Sequence, residues 1–178
     1  MPKLIIATVA EQGGGKGLFA ELLKRLLPEK KVKSVRFSDP IRDILEILDK
    51  EIARGNTQIL ATAIRKGFED EAVFAPAIKK RIRNLDADII ILDGLRKEEE
   101  VPYVHELGGQ LIYIKAGPET RFKRMQERGE NVGEKNMTWE QFLREEQGAP
   151  EVTIRNVGET LADVIIENNG TSEEFEEK

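Results

Sequence analysis

Short apolar runs alternate along the chain with stretches in which apolar residues return every three or four positions. Leu4–Val9 is the first run and predicts a strand buried on both faces. A glycine cluster follows it. Leu18, Phe19, Leu22, Leu23, Leu26 and Leu27 then recur at helical spacing as far as Pro28. Residues 32–37 predict a second strand. Ser38-Asp39-Pro40 predicts a helix start, with Asp39 as N-cap, Pro40 at the first helical position and Ile41, Ile44, Leu45, Leu48 and Ile52 as the apolar stripe. Helical patterns cover 57–66 and 70–85, where Pro76 either starts the main part of the second or kinks it. Residues 88–92, 110–114 and 163–167 predict three more buried strands. Helices are expected near 97–107, 118–129 and 138–147. Thr138 with Gln141, and Thr171 with Glu174, read as capping boxes. The acidic tail over 171–178 is compatible with a short final helix.

Five apolar strands separated by helices imply an α/β fold of three layers, a parallel sheet covered by helices on both faces. Ligands on such sheets bind at the carboxyl ends of the strands, which singles out the loops after Val9, Phe37, Leu92 and Ile114. At 178 residues, with no internal repeat, the chain is expected to form a single domain over 1–178. Zero cysteines exclude disulfides, thiolate catalysis and iron–sulfur clusters, and the single His105 excludes a multi-histidine metal site. His105 has no neighbour in sequence that makes it a base or a ligand, and Trp139, just inside a capped helix, reads as a packing anchor. A net charge of −5 argues against a broad nucleic-acid-binding face. No stretch approaches the ~20 apolar residues of a membrane span, and the first apolar run is too short for a signal peptide. The expectation is a cytoplasmic protein with a small-molecule partner and neither nucleic acid nor membrane.

The loop after the first strand carries the clearest chemistry. It reads Ala10-Glu11-Gln12-Gly13-Gly14-Gly15-Lys16-Gly17 and runs into a helix. Glycines let successive backbone N–H groups face phosphate oxygens, a helix N-terminus adds partial positive charge, and a lysine reaches the β- and γ-phosphates. Against the pattern G-x-x-x-x-G-K-[ST], Ala10 replaces the first glycine and Gly17 replaces the hydroxyl residue that holds magnesium, with Leu18 next. Gln12, Gly13, Gly14, Gly15, Lys16, Gly17 and Leu18 are the nucleotide-binding candidates.

The ending Gly15-Lys16-Gly17 is similar to the P-loop of adenylate-kinase-like nucleoside monophosphate kinases, a branch of the P-loop kinases in which magnesium is held largely through water. Other segments resemble the same group in the same order. Arg36-Phe37-Ser38-Asp39-Pro40 looks like the Phe-(Ala/Ser)-Asp-Pro segment of deoxynucleoside monophosphate kinases, and dephospho-CoA kinases also carry an aspartate there. Asp93 closes an apolar strand as a Walker B acid does, and Asp93-Gly94-Leu95-Arg96 is similar to the Asp-(Gly/Val)-x-Arg turn of these kinases. Arg121, Arg124 and Arg128 share one helix face and resemble lid arginines. Asn168-Asn169-Gly170 looks like the loop lining the adenine of ATP. Arg54, Asn56, Gln58 and Arg65 lie where the family inserts its acceptor-binding helices.

The resemblance implies a sheet ordered 2-3-1-4-5, acceptor-binding helices at about 50–85 and a lid at about 120–135. It implies transfer of the γ-phosphoryl of MgATP to a small nucleotide, a (deoxy)nucleoside monophosphate or alternatively dephospho-CoA. A non-catalytic nucleotide-binding protein is the reading from a different class. Lys16, Asp39, Arg96, Arg121 and Arg124 are then the catalytic candidates. Arg121 and Asn169 join the glycine loop at ATP, and Asp39, Arg42, Arg65, Asp93 and Arg96 form the acceptor set. Asp93 is the magnesium candidate, acting through water.

Overall fold

The computed structural model describes residues 3–129 and 134–178. Five strands form one parallel sheet: β1 (Leu4–Val9), β2 (Val32–Arg36), β3 (Ile89–Asp93), β4 (Gln110–Lys115) and β5 (Val164–Glu167), in the spatial order β2-β3-β1-β4-β5. That is the expected order, and each strand lies within a residue or so of its expected place. In the register of the central pair, Ile5 lies beside Ile90 and Thr8 beside Asp93, so the carboxyl ends of β1 and β3 come out level.

The helices are α1 (Lys16–Leu26), α2 (Asp39–Ile47), α3 (Arg54–Phe68), α4 (Ala75–Asn84), α5 (Val101–Glu106), α6 (Pro118–Arg128), α7 (Trp139–Glu146), α8 (Ala149–Leu161) and α9 (Ser172–Glu176). Alternate residues of the sheet face opposite layers, as the pleat requires. Leu111 and Tyr113 of β4 pack with Ile78 and Ile82 of α4, Val104 of α5 and Ile154 and Val157 of α8. Ile112 and Ile114 face Leu22 of α1 and Phe175 of α9 on the other side. A smaller cluster joins α2 to α3 through Ile41, Leu45 and Ala61, with Phe74 below.

Five expectations need correction. Helix α8 was not anticipated: Pro150 stands in its first turn and Gly158 in its body, and its only fully buried apolar side chains are Ile154 and Val157. Gly158 is there because α8 lies flat on Tyr113, and a Cβ would come within 2.6 Å of that ring. The strands are not all covered on both faces. β5 is an edge, with Val164 and Ile165 exposed, and β2 at the other edge buries Val35 alone. In α2 the N-cap is Ser38, and Asp39 is already the first helical residue. The helical reading of 70–85 begins only at Ala75, so Pro76 starts the helix, and 97–107 divides into a 3-10 turn at Glu98–Glu100 followed by α5. Both capping boxes form. The lid range of about 120–135 includes residues 130–133, which lie outside the described residues.

Candidate functional site

The glycine loop leaves β1 at Val9 and enters α1 at Lys16. Its conformation depends on Gly15, whose φ of +109° disfavours any side chain and whose missing Cβ leaves room for Asn168. Asn168 is fully buried, and its Nδ2 donates to the Gly14 carbonyl at 2.9 Å, so the loop is braced from the far end of β5. The Lys16 ammonium donates to the Ala10 carbonyl at 3.0 Å, folding back over the loop. Burial pushes Lys16 below the ordinary lysine value. Asp93, Glu151 and Glu11 pull it back up, while Arg96 adds to the lowering.

The two departures from the P-loop pattern have local reasons. Ala10 has ordinary negative φ, and it is buried in the small cluster with Leu22, Ile114 and Phe175, so no glycine is required there. Leu18 packs against the same cluster and contributes apolar contact where a hydroxyl would contribute none. Gly17 faces open space, with nothing within 4 Å of where a Cβ would stand.

Beside the loop lies a cleft of about 570 Å³, bounded by the carboxyl ends of β1, β2 and β3, by α3 and by the first turns of α8. Lys16, Arg36, Arg65, Arg96 and Lys97 bring positive charge to its wall, and Asp93 is the one carboxylate there among the described residues. One oxygen of Asp93 is buried without a hydrogen-bond partner. An orphaned acceptor of that kind fits a magnesium ion held through its waters, because Gly17 supplies no hydroxyl. No cluster of three or more protein ligands for a metal occurs among the described residues.

Lys16, Arg65, Asp93 and Arg96 therefore meet at one cleft, as the sequence reading expects of an acceptor and phosphate site. The others stand elsewhere. The Asp39 carboxylate accepts from the backbone N–H of Arg36 at 2.9 Å and lies 3.5 Å from Arg81, and neither Asp39 nor Arg42 lines the cleft. Arg121 is buried with both guanidinium arms on the Glu146 carboxylate, further bonds to the carbonyls of Ala116 and Gln12, and its charge over the Phe142 ring. The expectation that Arg121 meets the transferring phosphoryl runs against this geometry, because its donors are already spent inside the protein. Arg124 donates to the carbonyls of Asn168 and Gly170. Arg128 pairs with Glu134 at 3.1 Å. Asn169 accepts from the N–H of Gly117 at 2.6 Å and so ties the β5 loop to the start of α6. Trp139 stacks on Phe142 and meets Phe122 edge-on, the packing role expected of it.

Sequence reasoning missed the carboxylates behind the site. Glu11 accepts from the Tyr113 hydroxyl at 2.8 Å and from Arg155 at 3.2 Å, and burial together with Glu11 raises the Tyr113 pKa. Arg155 also reaches Glu146 at 3.0 Å, so one ionic network joins the glycine loop to α6, α7 and α8. Glu151 accepts from the Gln12 N–H at 3.2 Å. Glu100 is fully buried beside Arg65 and Arg96, and burial pushes its carboxyl above the ordinary range against the pull of the N–H groups and of Arg65. The signal available in the sequence was slight, since an acid in a loop or on a helix is usually solvated.

Comparison with known proteins gives the family and the fold. A family model described as AAA domain matches residues 6–148. A UPF0200 protein of Hyperthermus butylicus is 28% identical over 98% of this chain and 90% of its own length. A UPF0200 protein of Saccharolobus solfataricus is 29% identical over 98% of this chain and 89% of its own. Among solved structures, a gluconokinase from Sinorhizobium meliloti superposes with a TM-score of 0.57 at 11% identity, covering 99% of this chain and 88% of that one. A shikimate kinase from Acinetobacter baumannii, in complex with shikimate, gives 0.53 at 16% identity, with 98% and 89% covered. TT1252 from Thermus thermophilus gives 0.55 at 21% identity, with 99% and 94% covered. The fold shared with the two kinases is the α/β P-loop kinase fold. No helix among the described residues is long and apolar enough to cross a membrane.

Proposed function

Because the chain belongs to the AAA domain family, whose model spans the glycine loop and most of the cleft lining beside it, we propose that it is an ATP-dependent phosphotransferase whose acceptor is a small nucleotide, a (deoxy)nucleoside monophosphate. One observation supports the reading: the phosphate-binding loop and its lysine open onto a cleft whose charged lining, among the described residues, is Lys16, Arg36, Arg65, Arg96 and Lys97 with Asp93 as the one carboxylate. A cleft with that excess of cations favours an acceptor that is already an anion.

In this reading the N–H groups of residues 13–17 and the Lys16 ammonium hold the β- and γ-phosphates of ATP. Arg65 and Arg96 grip the acceptor phosphate and bring its oxygen into line with the γ-phosphorus. Asp93 would hold magnesium through water, and the ion would supply neutralisation of phosphate charge. Lys16 and Arg96, close enough for each to influence the other's field, stabilise the charge spread over the transferring group. Arg121 acts further back, as part of the ionic network that fixes the flank of the loop. The commitment of Asp39 to Arg36 and Arg81 favours a phosphate acceptor over the ribose hydroxyl of dephospho-CoA, since a phosphate oxygen needs no base.

The test is ADP release from MgATP with each nucleoside monophosphate, its deoxy form and dephospho-CoA supplied separately. Turnover is expected with a monophosphate and is expected to be abolished by Lys16→Ala in a protein that keeps its fold. Equal turnover in Lys16→Ala defeats the proposal. Silence with every acceptor while ATP still binds points to a nucleotide-binding protein without transfer activity.

A further inference from the structure

We infer that Glu100 is the positioning residue of the acceptor site: one buried carboxylate sets Arg65 and Arg96 in a common frame before any acceptor arrives. The inference rests on the acceptor reading above and names what organises it. One Glu100 oxygen accepts from Arg65 Nη2 at 3.0 Å. The other accepts from the backbone N–H of Arg96 at 2.9 Å and of Lys97 at 3.2 Å. The two arginines come from different elements, Arg65 from the last turns of α3 and Arg96 from the loop after β3, and Glu100 is the group that touches both.

The physics favours a fixed clamp. The Glu100 side chain is 1% exposed and that of Arg65 16%. A carboxylate so buried needs its counter-ion and its N–H donors, because an uncompensated buried charge is costly. Arg65 is held from further sides too: its Nε donates to the Glu71 carbonyl at 2.9 Å, and its charge sits 5.2 Å from the centre of the Phe74 ring. One edge of the guanidinium is thus spoken for, and Arg65 lines the cleft with its position already fixed. Lys97 is likewise drawn back, onto Glu71 at 2.6 Å. A long cation that is already immobilised loses less entropy on binding than one swinging in water, so Glu100 acts on the acceptor through the Arg65 side chain and, for Arg96, by fixing the backbone that carries it.

The experiment measures acceptor KM, ATP KM and kcat for the wild type, Glu100→Gln, Arg65→Lys and the double variant, using whichever of AMP, CMP, GMP, UMP, their deoxy forms or dephospho-CoA supports turnover. Circular dichroism confirms folding. Acceptor KM is expected to rise on the order of tenfold to a hundredfold in each single variant, with ATP KM nearly unchanged. The double variant is expected to be little worse than the worse single, because both changes break one pairing. A folded Glu100→Gln with unchanged acceptor KM, or one in which both KM values rise alike, overturns the inference and leaves the phosphotransfer reading standing. Absence of turnover in the wild type with every acceptor defeats both. If Glu100→Gln does not fold, Arg65→Lys decides. It keeps the charge but cannot keep the fork, and an unchanged acceptor KM in it overturns the inference.

Discussion

Two neighbouring glycines of the P-loop, Gly15 and Gly17, obey different constraints, and single substitutions separate them. At Gly15 a Cβ meets both a left-handed backbone and the Asn168 amide, 2.2 Å away. Gly15→Ala is expected to cost about 1–3 kcal/mol in urea denaturation and to weaken ATP binding, since the N–H groups of the loop no longer converge. At Gly17 there is open space, and a serine restores the hydroxyl found in the commoner pattern. Gly17→Ser is expected to fold with stability within about 1 kcal/mol of the parent, as glycine is itself a poor helix residue. A large loss of stability in Gly17→Ser would show that the first turn of α1 is more crowded than the structure has it. The triple glycine and lysine were legible as a site because they are contiguous. Asn168 braces them across 154 positions, whereas in sequence it reads as part of the Asn168-Asn169-Gly170 loop that resembles the one lining adenine.

Between elements, charged pairs do what apolar stripes do elsewhere. Helices α6 and α7 are joined by the Arg121–Glu146 pair under the Phe122, Trp139 and Phe142 rings, and Arg155 ties α8 to the same carboxylate. Removing one partner strands the other charge in the interior. Glu146→Ala is expected to lose about 3–5 kcal/mol of stability in denaturant titration, and Arg121→Met combined with Glu146→Leu is expected to recover much of that loss. A small loss in the single variant would mean that the pair is solvated. The helical spacing of Arg121, Arg124 and Arg128 was read correctly as one face of a helix. Which side of that face is inside depends on α7, whose Glu146 has no periodic relation to Arg121. The missed helix α8 has the same origin: it is anchored partly by Glu151 and Arg155, and apolar periodicity does not count such residues.

Across the whole molecule, paired and buried carboxylates couple stability to pH. Asp163, just before β5, accepts from the N–H of Leu111 at 2.7 Å and faces His105 of α5 at 3.0 Å. The Leu111 N–H foremost, and His105 after it, hold the Asp163 carboxyl below the ordinary value of 3.8. A folded-state value below the unfolded one gives stability that is present above about pH 3.8 and is lost as pH falls through the lower folded value. Asp163→Asn is therefore expected to lower the melting temperature modestly at pH 6 and to flatten its fall below pH 4. An unchanged acid limb would remove Asp163 from the account. Glu100 has the opposite sign. Its carboxyl is raised by burial, so its contribution is most favourable below the unfolded value and is lost as pH rises through the folded one. That cost at neutral pH falls beside the cleft that Arg65 and Arg96 line.

The linear sequence by itself determined the strands, most of the helices, the parallel sheet and the place of the phosphate loop. These follow from short unbroken apolar runs, from apolar periods of three to four and from glycine and proline chemistry, all of which act over a few residues. Only the tertiary structure decided which charges face the cleft and which are consumed inside. Arg65 and Glu100 are 35 positions apart, and Arg121 and Glu146 are 25. A charged side chain reads the same in sequence whether it meets solvent, a ligand or a buried counter-ion. What separates these fates is the packing of one element on another, because the cost of burying a charge is set by the partners that the fold brings within hydrogen-bonding distance.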